Sequence, residues 1–204
     1  MRVRVLATAV LALALSGAAA RAADPRYPDW PCTQAKVPEI SLAAVWAGPP
    51  LDDVQSKWKD DAKVSALVSK LSARKTPLDE AEKSVKEFLA SSAADKTANA
   101  KLLFAGLFDT LNAQRSQVMS GLERVSRKQR DAADRIRDET LQLQALQGAT
   151  PRDDAKIDAL SNELIWKTRI FEDRHKVVRF VCEVPTTIDQ RLFALGRVIQ
   201  QEIE

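Results

Sequence analysis

Apolar residues in the second half of the chain recur in threes and fours. From about Lys96 to Gln147, with no proline to interrupt them, Leu107, Leu111, Val118, Leu122, Val125, Ala132, Ile136, Leu143 and Leu146 fall on one helical stripe of coiled-coil style. One helix of about 50 residues would be roughly 75 Å long. Gln129 and Glu139 lie on the same stripe, where polar residues weaken a seam and can fix its register. The stretch GATPRDD then supplies a stop at Gly148 and a start at Thr150, Pro151, Asp153 and Asp154. So short a loop folds the next helix back as an antiparallel hairpin, spanning about 96–183. The returning stripe is Ile157, Leu160, Leu164, Phe171, Val178 and Val181, and it stops before Pro185. PTTIDQ opens a last helix, about 187–203, with Ile188, Leu192, Leu195, Ile199 and Ile203 on one face.

Upstream the pattern is shorter. Val64, Leu67, Val68 and Leu71 mark a helix that Val54 and Trp58 extend backwards, predicting one element over 51–73. TPLDE starts the next, with Thr76 as cap, Pro77 in the first turn, and Asp79 and Glu80 at the positive end of the dipole. Leu78, Ala81, Val85, Phe88 and Leu89 form its stripe.

Residues 23–50 break the pattern. Pro25, Pro28, Pro31, Pro38, Pro49 and Pro50 forbid a long helix, leaving room only for a short one in SLAAVWAG between Ser41 and Gly48. This segment holds Cys32, one of the chain's two cysteines; Cys182 is the other. It sits in VVRFVCEV, residues 177–184, which is apolar nearly all round, whereas a helix in a two-stranded hairpin needs only one apolar face. A second cover is therefore expected. Residues 27–48, with Trp30, Val37, Ile40 and Trp46, are read as a clasp wrapped on the hairpin base and pinned by a Cys32–Cys182 disulfide.

The fold class expected is all-α: a long antiparallel, coiled-coil-like hairpin with shorter flanking helices, and an extended Pro/Trp-rich N-terminal segment. The helical domain is 51–204. Residues 1–22 read as a signal peptide, with Arg2 and Arg4, an apolar run from Val5 to Leu15, and a small-x-small exit at Ala20-Arg21-Ala22. The run is too short to span a bilayer, which takes about 20 residues. A bacterial periplasmic or secreted location follows, with no transmembrane segment after cleavage. Removing Arg2, Arg4 and Arg21 brings the formal charge of +3 to zero, so charge gives no reason to expect nucleic acid as a partner.

Chemistry-bearing constellations are few. His175 is the only histidine, and six glycines form no phosphate-cradling loop. His175 and Cys182 lie seven apart, roughly 10 Å along a helix and too far to act as a nucleophilic pair. Arg127, Arg130 and Arg135 stand four residues before Asp131, Asp134 and Glu139, as in a solvated face with internal ion pairs. The function expected is non-enzymatic: an exported scaffold, adaptor or chaperone-like protein, without cofactor or metal. Its partner would be an envelope protein or a second copy. Candidate interaction residues are Trp30, Trp46, Arg127, Arg130 and His175. The alternative is a ligand- or cofactor-binding bundle with a pocket near His175 and the tryptophans.

Overall fold

The computed structural model describes residues 24–92 and 94–204; the signal peptide read at 1–22 lies outside them. In chain order these residues form α1 (Leu42–Val45), a single 3-10 turn (Lys57–Lys59), α2 (Ala62–Ser72), α3 (Leu78–Ser91), α4 (Lys96–Gly148), α5 (Asp154–Val181) and α6 (Val184–Ile203), with no strand among them. The fold is all-α, built on α4, whose 53 residues make it about 80 Å long.

The first half of α4 is the spine of a bundle. Leu103, Phe104, Leu107 and Leu111 are fully buried against Val64, Val68 and Leu71 of α2 and Leu192, Leu195 and Ile199 of α6. Each such side chain contributes about 1.5–3 kcal/mol relative to exposure. Two glycines let neighbours come this close. A Cβ on Gly106 would stand 2.6 Å from Val68 and 2.9 Å from the Trp58 ring, and one on Gly196 would stand 2.8 Å from both Phe104 and the Val45 carbonyl.

Beyond Leu122 no residue of α4 is buried. There α5 returns antiparallel as an arm, and of its own residues only Ile157 and Leu164 are buried. The two polar residues on the α4 stripe fix the register. Gln129 Nε2 donates to the Phe171 carbonyl at 3.2 Å, and Glu139 accepts from Lys167 at 2.5 Å.

Local chemistry moved several expected boundaries. Residues 51–73 are not one helix: the Asp61 carboxylate accepts the Lys63 and Val64 amides and starts α2 afresh. Val54 and Trp58 are still buried, and Trp58 Nε1 donates to Asp109 at 3.0 Å. Thr76 does not cap α3; its hydroxyl donates to the Lys70 carbonyl at 2.9 Å, closing α2 instead. Helix α1 ends at Val45, with Trp46 as its C-cap, short of Gly48. Helix α5 stops before Pro185 as expected, but α6 begins at Val184 rather than near 187, with Pro185 in its first turn, where a missing N–H costs nothing. No helix among the described residues is long and apolar enough to cross a membrane.

Candidate functional site

The N-terminal segment does not wrap the hairpin evenly; it runs antiparallel along one flank of α4. Asp29 accepts from Arg127 at 2.6 Å and also pairs with Arg130. Lys36 meets Glu123 at 2.5 Å, the Pro38 carbonyl accepts from Arg115, and Trp46 stacks on Phe104 with centroids 4.3 Å apart. Lys101 reaches Asp53 at 2.6 Å. Cys32 and Cys182 are bonded, with Cα atoms 5.6 Å apart, and the Gln34 amide donates to the Cys182 carbonyl.

Electrostatics differ along this strip. At its upper end the Arg130 and then Arg127 guanidinium groups hold the Asp29 carboxyl below its usual range. Lower down, Arg115 is buried, with Nε 2.7 Å from Asp189 of α6. That approach is off the N–H axis, so it is an ion contact rather than an aligned hydrogen bond. Burial pushes the Asp189 carboxyl up, and the Arg115 charge only partly opposes it.

The other flank of the hairpin base is open. On a 3.6-residue wheel Glu123, Arg127 and Arg130 face the clasp, while Val118, Leu122 and Val125 fall on the far side. Together with Val177, Val178 and Val181 of α5 they line a groove of about 650 Å³. Its other lining residues include Arg74, Lys128 and Arg174, and no aspartate or glutamate. None of these three cations forms an ion pair among the described residues. Val177 also belongs to a stripe on the outside of α5, at spacings of four and three: Trp166, Ile170, Asp173, Val177, Phe180. Trp166 is 62% exposed, Val177 60% and Phe180 77%.

The candidate residues therefore separate. Trp46 belongs to the core, its Nε1 donating to the Pro49 carbonyl. Trp30 is half-buried and donates to the Gln34 carbonyl at 2.7 Å. Arg127 and Arg130 do not pair with Asp131 and Asp134 along their own helix; both turn to the clasp, because Asp29 offers one carboxylate to two guanidiniums. His175 is exposed, and neither it nor a tryptophan lines the groove. The expected cover of 177–184 is also incomplete. Val37 is 54% exposed and Trp46 packs far down α4, so Val177 and Phe180 stay in solvent.

Sequence reasoning missed Arg74, Lys128, Arg174 and Trp166. Trp166 carried a signal: it lies off the Ile157–Leu160–Leu164–Phe171 stripe, on what should be a polar face. Among the described residues no group of three or more His, Cys, Asp or Glu side chains is placed to hold a metal ion. No family model, curated protein or solved structure matches the chain.

Proposed function

We propose that this chain is an exported, non-enzymatic helical adaptor that acts by protein–protein interaction through its hairpin arm. The observation that carries this reading is the outer face of α5, where Trp166, Val177 and Phe180 present large apolar side chains to solvent. Scattered exposed apolar residues are ordinary, but an aligned set on one helix face marks a contact surface. Aromatic anchors supply much of the energy at such surfaces. The base gives the arm a fixed root, so the face is displayed rather than folded away. Export is supported by the charged, apolar and small-residue order of residues 1–22 and by a disulfide of the kind that persists in oxidising compartments.

The test is site-specific photocrosslinking in the native envelope, with the photoreactive residue at position 166 or 180 and a control at exposed Lys83 on α3. Adducts of defined mass from 166 and 180 but not from 83 are expected. An adduct of twice the chain mass identifies a second copy; any other mass identifies an envelope partner. Equal labelling from all three positions, or none, would refute the reading.

A further inference from the structure

We infer that the groove between α4 and α5 is a docking site for an acidic amphipathic helix of the partner protein, which lies in it as a third helix of the arm; this rests on the adaptor reading above. Three observations define the occupant. The floor is apolar and made of branched side chains, with Val118, Leu122 and Val125 facing Val177, Val178 and Val181. The cations stand at both ends of that floor. Lys128 and Arg174 occupy matching levels of the antiparallel pair at the upper end, and Arg74 lies beside Val118 and Val184 at the lower end, where it also borders the adjoining hollow by Gln114 and Ile188. No carboxylate of this chain lines the groove, and the three cations have no ion-pair partner among the described residues.

From Val118 to Lys128 is ten helical steps, about 15 Å, or nearly three turns of a docked helix. That length accepts apolar anchors at i, i+3, i+4 and i+7. Carboxylates before and after those anchors then meet Arg74 at one end and Lys128 with Arg174 at the other. A single-headed amphiphile would leave one end's charge unanswered, and an open trough would leave much of a small ligand in solvent, unlike an enclosing ligand pocket. Val177, shared with the outer stripe, makes the groove continuous with the surface that the adaptor reading uses.

The probe is a synthetic amphipathic helix of about four turns, with leucines at the i, i+3, i+4 and i+7 places and glutamates in its first and last turns. Its twin carries lysine for every glutamate. Methyl NMR of the full oxidised chain is expected to show the acidic peptide shifting Val118, Val125, Val178 and Val181. Its affinity should exceed the twin's by about tenfold at low salt, with the gap narrowing as salt screens it. In the double variant Lys128→Glu/Arg174→Glu the preference should invert. Both positions are exposed, and circular dichroism checks that the variant keeps its helix content. Equal binding of the twin, shifts elsewhere than the groove, or an unchanged preference in the variant would overturn the assignment. So would sodium dodecanoate saturating the groove at one equivalent while the acidic peptide does not bind. If the groove fails these tests while crosslinks at 166 and 180 persist, only the site assignment falls. If the crosslinks fail as well, the adaptor reading goes with it.

Discussion

The two halves of α4 share one unbroken helix and almost nothing else. From Ala100 to Leu122 it is the buried spine of a bundle, packed by α2, α3 and α6 and flanked by the clasp. From Glu123 to Gly148 it has one partner helix and no buried residue. Helix propensity does not explain the contrast, since the buried half carries Gly106, Gly121, Phe104 and Phe108 while the exposed half is dense in Arg, Gln and Leu, which favour a helix. The difference lies in tertiary cover, which supplies most helical stability in proteins. The base is thus expected to unfold only globally, and the arm to open locally at much lower cost. On the adaptor reading proposed above, an arm that opens at lower cost than the base would let its exposed apolar face exchange solvent for a partner without unfolding the core.

The disulfide tests this contrast most strongly. It joins residues 150 apart, and the chain-entropy model assigns a crosslink of that reach about 5 kcal/mol, with typical measured values of about 2–4 kcal/mol. Cys32→Ser/Cys182→Ser should lower the urea-unfolding free energy by an amount in that range. In hydrogen exchange the slow amides of Leu103 to Leu111, which exchange by global unfolding, should lose the same amount of protection. Amides of Ile136 to Leu146 should change little, because their opening does not cross the closed loop. Equal losses in both sets would show that base and arm are one cooperative unit.

Matched leucine truncations sharpen the same contrast. Leu107 is fully buried in the base and Leu164 is 8% exposed in the arm. Leu107→Ala should cost about 3 kcal/mol of global stability, the usual penalty for a fully packed leucine. Leu164→Ala should shift the global midpoint by under about 1 kcal/mol while raising exchange throughout α5's first three turns. The comparison fails if the two substitutions move the urea midpoint equally.

The contrast also decides what could be read from sequence. The hairpin was legible because its stripes are long and proline-free and Asp153 caps α5 by chemistry that acts locally, whereas Gly148 is the last residue of α4 itself, with Ala149 as the cap and no left-handed turn at the glycine. The bond between Cys32 and Cys182 was legible because the chain offers only that pair. What failed to show was direction around a helix. The apolar excess at 177–184 correctly signalled a second face, but nothing in one sequence says whether a face is covered by its own chain or left for another. The clasp chose the flank of Arg127 and Arg130 because Asp29 and Lys36 find opposite charges there. Those are tertiary pairings between residues about 100 apart, beyond any local pattern. The Arg74–Lys128–Arg174 set was hidden for the same reason, since it assembles from the α2–α3 turn, α4 and α5.

The smallest effect concerns pH, and its sign differs between the two ends of the clasp. Arg130 and Arg127 lower the folded-state pKa of Asp29 below its unfolded value. Its contribution is therefore present above the ordinary carboxylate range, near about 4, and is lost as pH falls through the folded pKa. Burial raises Asp189, so its contribution is largest below the unfolded pKa and is lost as pH rises through the folded one. Acidification should therefore loosen the clasp beside the arm while easing the charge buried beside the base. Followed by NMR, the Trp30 indole proton, held to Gln34 next to Asp29, should exchange faster as pH drops below the carboxylate range. The Trp46 indole, deep in the base, should not. Asp29→Asn should make Trp30 exchange fast at neutral pH and remove this pH dependence beyond the intrinsic exchange rate. If both indoles respond alike, the clasp is a single rigid strap, and the boundary between base and arm does not pass beneath it.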